Sequence, residues 1–188
     1  MGNLHSQKYD TKTVIAALAA LANAPTWEMT YHVLKTNAEI LTSDQAFAYL
    51  CEIISMHRSL HESNEVDNWN SYLGLLEDVR QKEASQENEG KNNVEEAWNN
   101  FITLQNESAE AIEFLIGATK EEKRKFLVSD TNLLLSNPAF VYLRNRIEVA
   151  RADSDAELVG LMEPHLHMLE DARMHNISIA WTNWENYM

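Results

Sequence analysis

The sequence predicts an all-α protein built from two tandem pseudo-repeats of four to five helices each, stacked as a short α-solenoid or paired as a helical bundle. Three observations support this prediction. Apolar residues recur at helical spacing along most of the chain. The 188 residues include only 5 glycines and 3 prolines, as expected of helices joined by short turns. Finally, residues 41–50, LTSDQAFAYL, return at residues 134–143 as LLSNPAFVYL.

Similarity between the two halves extends beyond this segment. With the same offset, about a third of the positions from Thr26 to Arg80 are identical to their counterparts, several times more than unrelated sequences of ordinary composition share. A further match, at an offset shorter by the length of the polar segment 84–93, pairs Val94, Ala97, Trp98, Asn100 and Phe101 with Ile177, Ala180, Trp181, Asn183 and Trp184. The sequence therefore predicts a frayed N-terminus at 1–11, a first repeat at 12–105 that carries the inserted loop 84–93, and a second repeat at 106–188.

Capping residues and breakers mark four helices in the first part of the chain. Helical spacing from Lys12 to Ala24 predicts a helix that Pro25 ends. Thr26 is a typical N-cap for the second helix and Ser43 for the third. A fourth helix is predicted from the spacing of Val66, Trp69, Leu73, Leu76 and Val79.

Beyond the polar loop, two helices are predicted in succession, one over 94–102 and one from about Glu107 to Gly117. The glycine is expected to adopt the left-handed geometry of a helix C-cap. Thr119 and Ser136 then cap the next two helices.

Near the end of the chain, a helix is predicted over about 154–174. Pro164 lies inside it, where the first copy has Ser71. Because proline removes a backbone donor and crowds the preceding turn, it predicts a kink or a split. One more helix follows from Ile177.

Residues that are identical in both copies are expected to serve the same structural need twice. The apolar pairs are predicted core: Leu34 and Leu127, Phe47 and Phe140, Leu50 and Leu143, Ile54 and Ile147, Leu73 and Leu166, Leu76 and Leu169. The shared charges are Glu28 with Glu121, Arg58 with Arg151, and Glu77, Asp78 and Arg80 with Glu170, Asp171 and Arg173. We interpret these charges as polar contacts that hold helix pairs together; the alternative is a surface presented twice to a partner.

Composition limits the classes of partner. The chain has 29 acidic and 15 basic residues and a formal net charge of −14, and a surface of that sign repels nucleic acid and anionic membranes. No apolar run reaches the ~18 residues of a membrane span, and the N-terminus lacks the apolar region of a signal peptide. We therefore expect a cytoplasmic protein. The single cysteine, Cys51, is interpreted as a partly buried or surface thiol.

Catalytic and metal sites are not indicated. His57 and His61 lie four residues apart and share a helix face near Glu62, but no third ligand is placed by sequence. His165 and His167 lie two apart and diverge on a helix. Phosphate-binding loops, nucleophile elbows and Cys-x-x-Cys pairs are missing from the sequence. We expect no catalytic residue, no cofactor and no metal, and hence a protein that is not an enzyme.

Tryptophans are the candidate binding residues, because indoles anchor interfaces. Trp98 and Trp181 are counterparts in the two copies, which favours core packing. Trp184 lies on the last helix, where no further repeat would cover it. It is therefore predicted to lie on an exposed end or in a dimer contact, and is the candidate partner-binding residue.

A family resemblance is carried by Trp27-Glu28, Val33-Leu34, Glu39-Ile40-Leu41, Ser43-Asp44, Ala46, Leu50, Ile54, Arg58, Leu73, Leu76 and Arg80. This series resembles a helical repeat found in tandem in bacterial, often cyanobacterial, multidomain proteins of the TPR and CHAT-protease type. The chain departs from that pattern at Lys120, in place of the tryptophan, and at Val79 and Ala172, in place of a cysteine near the repeat end. The resemblance covers about two thirds of the chain and implies a non-catalytic module.

The function predicted from these features is a non-catalytic protein-interaction or scaffold module, whose partner is another protein; a homodimer is compatible with the sequence. One alternative is an acidic inhibitor or immunity-type protein that covers a basic site on its partner. A second alternative is a helical bundle that binds a metal or another ligand.

Overall fold

The computed structural model describes residues 9–84 and 93–187, and these form eleven α-helices and no strand. The all-α class predicted from the sequence is therefore confirmed. The helices are α1 (Thr11–Ala22), α2 (Trp27–Thr36), α3 (Ala38–Leu41), α4 (Asp44–Ser59), α5 (Ser63–Ala84), α6 (Asn93–Gly117), α7 (Lys120–Ser129), α8 (Thr131–Leu134), α9 (Asn137–Ala152), α10 (Ala156–Met174) and α11 (Ile177–Tyr187).

The chain divides into two compact units, the first ending at Ile102 and the second beginning at Thr103. Each unit has its own buried apolar cluster. The first cluster includes Val14, Leu18, Leu21, Leu34, Leu41, Leu50, Leu76 and Val79. The second includes Ile112, Leu115, Leu127, Leu134, Phe140, Leu143, Met168 and Leu169. Of the predicted core pairs, Phe47, Leu73 and Leu166 are only partly buried and pack against these clusters.

Side-chain caps begin the helices where the sequence predicts them. The Oγ atoms of Ser43 and Ser136 accept hydrogen bonds from backbone N–H groups in the first turns of α4 and α9. Thr26 caps α2 in the same way, and Thr119 forms a capping box with Glu122 at the start of α7. Each of these bonds satisfies a donor that a helix N-terminus leaves unpaired, so the caps determine where the helices start.

Equivalent helices of the two units have equivalent bounds. α2, α3 and α4 correspond, residue for residue under the sequence offset, to α7, α8 and α9, and α5 and α10 also begin at matching positions. The turns before α5 and α10 match as well, because His61 and Ser154 both have a φ of 59°. The short helices α3 and α8 were not expected from the sequence; each buries one leucine, Leu41 or Leu134.

Two expectations about α6 are wrong. α6 is one helix from Asn93 to Gly117, because no glycine or proline interrupts the sequence between Ile102 and Glu107. Gly117 is the last residue of that helix and does not have a positive φ. α10 is not split and continues through Pro164, which is consistent with its packing against both α9 and α11.

The predicted terminal and loop segments lie mostly outside the described residues. Of the frayed segment 1–11, the structure describes only Tyr9 onward, and Thr11 is already in α1. Of the inserted loop 84–93, it describes Ala84 and Asn93, which are the last residue of α5 and the first of α6.

Candidate interaction surfaces

Two of the shared charged residues contact the same aromatic position in each unit. Arg80 donates from Nη2 to Asp44 Oδ1 at 2.5 Å, and its guanidinium carbon lies 5.1 Å from the centre of the Phe47 ring. Arg173 is 3.8 Å from the Phe140 ring centre and donates to the backbone oxygen of Leu135. Arg173 also donates a hydrogen bond to the side chain of Asn137, which is the counterpart of Asp44 in the second unit. These arginines therefore join α5 to α4 and α10 to α9.

An asparagine–aspartate hydrogen bond that both copies share joins α6 to α5 and α11 to α10. Asn100 donates to Asp78 at 3.1 Å, and Asn183 donates to Asp171 at 2.8 Å. The Arg58 and Arg151 pair behaves differently, because Arg151 pairs with glutamates at Glu148 and Glu163. Only part of the shared charge set therefore has the same contacts in both units.

The histidine positions give no metal centre in the described residues. The His57 ring of α4 lies 2.6 Å from the carboxylate of Glu62, which is in the turn before α5. His61 is also in this turn, with a positive φ, so it does not share a helix face with His57 as expected. His165 is buried, whereas the side chain of His167 is 76% exposed, so the two diverge as predicted. Within residues 9–84 and 93–187, no group of three or more His, Cys, Asp or Glu side chains is arranged to hold a metal ion. Cys51 is an exposed free thiol.

Trp184 is not exposed, and the expectation that it lies on an uncovered end is wrong. Its side chain is 6% exposed and belongs to the apolar cluster of the second unit. The reason is that α11 packs along α10 and also contacts α7, so helices of the same unit cover it. Its ring centre lies 5.0 Å from that of Trp181 and 5.8 Å from that of His165.

A buried lysine and histidine lie beneath this tryptophan. Lys123 Nζ is 2.8 Å from His165 Nε2, and it also donates to the backbone oxygen of Ile116 at 3.1 Å. His165 Nδ1 lies 2.8 Å from the oxygen of Leu161. Since a carbonyl only accepts, the network assigns the His165 proton to Nδ1 and leaves Nε2 to accept from the ammonium.

Burial perturbs both groups. Desolvation lowers the pKa of His165 and is the largest effect. The hydrogen bond to Leu161 raises this pKa by less, and the nearby Lys123 charge lowers it slightly further. Desolvation also lowers the pKa of Lys123. In the first unit, Thr30 and Tyr72 occupy the equivalent positions, and burial raises the pKa of the Tyr72 hydroxyl. The buried cation and imidazole therefore belong to the second unit alone.

An aromatic patch lies on the first unit, formed by Trp27 and Tyr31 of α2 and Trp98 and Phe101 of α6. Trp27 contacts Trp98 and Phe101 edge-on, with ring centres 6.1 and 5.7 Å apart. Tyr31 and Trp98 lie 5.5 Å apart. Phe101 is buried, Tyr31 and Trp98 are half-buried, and Trp27 is 51% exposed. The patch therefore presents a large aromatic surface that is held in place by ring contacts.

In the second unit, charged residues replace the two α2 residues of this patch. Lys120 stands at the place of Trp27 and pairs with Glu185 at 2.9 Å, and Arg124 stands at the place of Tyr31. Because Lys120 and Arg124 are exposed in the second unit, the fold does not require aromatic residues at these two positions. Helical spacing alone does not reveal this surface. The charged counterparts were the signal that could have found it.

Comparisons with family models, curated proteins and solved structures find no match to this chain. Among the described residues, no helix combines the length and apolar character that crossing a membrane requires.

Proposed function

We propose that this chain is a non-catalytic protein-interaction module and that the aromatic patch of the first unit contacts the partner. The observation that carries the proposal is the exposure of Trp27 above a cluster of rings, at a position where the second unit has a lysine. Large exposed aromatic side chains are enriched among residues that dominate binding energy.

The geometry of the patch favours binding. Trp98 and Phe101 restrict the indole of Trp27 through edge-on contacts, and Tyr31 is restricted in turn by Trp98. Side chains that are already ordered lose less conformational entropy when a partner binds. The patch is therefore a preorganised surface of the kind that anchors an interface.

The partner we propose is a protein with a basic surface around an apolar contact. The net charge of −14 favours association with positive surfaces and opposes it with negative ones. This same charge supports the second candidate function, an acidic inhibitor that covers a basic site. The two candidates differ in salt dependence, which is steep for an inhibitor held by charge and shallow for a contact held by aromatic burial.

Tandem duplication is part of the proposal. Support comes from the matching bounds of α2 to α4 and α7 to α9 and from the matching positive φ values at His61 and Ser154. The resemblance to helical repeats of bacterial multidomain proteins points to the same class of scaffold. Stacked helical repeats commonly serve as extended binding surfaces.

The test replaces Trp27 with the residue of the second unit. Full-length wild-type chain and Trp27→Lys are used to capture proteins from a native extract, and the captured protein is purified and titrated against both. We expect Trp27→Lys to weaken binding by at least about tenfold. Val128→Lys is the matched control, since Val128 is 67% exposed on α7 and lies outside the patch.

Equal binding by wild type and Trp27→Lys would overturn the role of the patch. Recovery of the bait alone, together with turnover of a small molecule by the purified chain, would overturn the interaction module itself. Circular dichroism of each variant is the folding control.

A further inference from the structure

The second unit contains a groove of about 520 Å³ between α10 and α11. Its apolar lining comes from Pro164, Met168, Met174, Ala180 and Trp184. Met168 and Trp184 are buried, whereas Met174 is 76% exposed. The groove therefore has a buried apolar floor and an exposed apolar edge.

Carboxylates form the polar side of this groove. Glu170 and Asp171 both line it. Glu170 accepts a hydrogen bond from Arg144 at 2.8 Å, so its charge has an internal partner. Asp171 accepts from the neutral side-chain amide of Asn183, and no basic side chain in the described part of the chain forms an ion pair with it. Asp171 is therefore the carboxylate whose charge remains to be paired.

The first unit shows how such a carboxylate is paired within the same fold. Asp78, the counterpart of Asp171, accepts from Asn100 as Asp171 does from Asn183. In addition, Lys82 Nζ lies 3.6 Å from Asp78 Oδ1 and 2.8 Å from Glu96 Oε1, so it links α5 to α6. The hydrogen bond to Glu96 raises the pKa of Lys82 above its usual value.

The second unit lacks this lysine. His175 stands at the place of Lys82 and is the C-cap of α10, and Ile179 stands at the place of Glu96. Met174 replaces Gln81 beside it, which adds apolar surface where the ammonium is missing. One further polar group is unpaired: the indole Nε1 of Trp184 is buried and has no hydrogen-bond partner among the described residues.

We propose that the α10/α11 groove binds an amphipathic helical segment of a partner protein, with a lysine that takes the place Lys82 holds in the first unit. The lysine ammonium pairs with Asp171, and its aliphatic stem and neighbouring apolar side chains contact Met174, Met168 and Trp184. This occupant meets both the charge and the apolar lining of the groove. The net charge of −14 favours its approach. The site is separate from the aromatic patch and does not depend on that patch being functional.

The test uses a synthetic amphipathic peptide of leucine and lysine, titrated into the full-length chain. Binding is followed by NMR at the Trp184 indole N–H and at the methyl groups of Met168 and Met174. We expect saturable shifts at these three residues. A peptide with norleucine in place of each lysine keeps the stem and removes the charge, and it is expected to bind at least about fivefold more weakly.

Three variants test where the peptide lysine binds and what it contacts. Asp171→Asn keeps an acceptor for Asn183 while removing the charge, and we expect about fivefold weaker binding. Met174→Gln introduces the residue of the first unit and tests the apolar edge instead, so it should weaken binding. His175→Lys supplies an internal lysine four residues after Asp171, a spacing that allows pairing on a helix, and should compete with the peptide. Glu28→Gln on α2 removes one charge elsewhere and is expected to leave binding unchanged.

Several results would overturn the proposal. These are the absence of shifts at the groove, equal binding of the norleucine peptide, and unchanged affinity in Asp171→Asn. Shifts at the groove that depend on protein concentration without peptide would instead assign the groove to a second copy of the chain, and would also overturn it. Shifts confined to Trp27 and Trp98 would leave the aromatic patch as the binding surface and reject the groove.

Discussion

The guanidinium carbon of Arg173 lies 3.8 Å from the centre of the Phe140 ring, on the side where α10 meets α9. At this distance the cation interacts with the negative face of the ring. The same arginine also donates to the Leu135 carbonyl, so a single side chain joins an aromatic core residue and the turn before α9.

Replacing Arg173 is expected to destabilise the protein. Arg173→Ala removes these two contacts and the hydrogen bond to Asn137, and should lower the free energy of unfolding by about 1 kcal/mol. Urea denaturation measures the difference. Arg58→Ala is the matched control, because Arg58 is exposed and its loss should change stability by less than about 0.5 kcal/mol. Equal effects of the two substitutions would show that the ring contact contributes nothing.

The stability of the protein should fall as pH decreases below about 6.5. Burial lowers the pKa of His165 from the value of 6.5 that applies to an unfolded chain. As pH falls through 6.5, the unfolded state binds a proton before the folded state does, so unfolding becomes more favourable. The stability that neutral His165 contributes is fully present above the pKa of the unfolded state. It is lost as the pH falls toward the lower pKa of the folded state. The check is urea denaturation across this range, with His165→Phe, which should reduce the slope.

Lys123→Met should raise the pKa of His165, because it removes the positive charge 2.8 Å from Nε2. The pKa should still remain below that of a free histidine, since desolvation is the larger cause. NMR titration of the His165 ring follows the change. A His165 pKa that does not move would show that Lys123 is not charged beside it.

Substitutions of Trp184 should act through the core. Trp184→Ala is expected to cost about 3–5 kcal/mol by leaving a cavity. Trp184→Phe introduces the residue that the first unit has at this place, Phe101, and should cost about 1–2 kcal/mol. Trp27→Ala, at a half-exposed position, should cost less than Trp184→Ala. Thermal unfolding ranks the three, and a smaller loss for Trp184→Ala than for Trp27→Ala would contradict the observed burial.

The sequence by itself determined the helical class, most helix starts and most core positions. Ser43, Thr119 and Ser136 cap helices through bonds to residues three positions ahead, so the information is local. Leu34, Leu50, Leu127 and Leu143 are predicted as core because they are apolar and identical in both copies, and all four are buried.

Tertiary structure alone decided which faces are covered and which distant side chains meet. Trp184 is buried because α10 and α7 pack against its helix, whereas Trp27 stays half exposed although both are tryptophans on apolar helix faces. Lys123 and His165 are far apart in the chain, and they come within 2.8 Å because α11 packs along α10 and also contacts α7. Burial and long-range contact depend on the positions of whole helices, which no local pattern specifies.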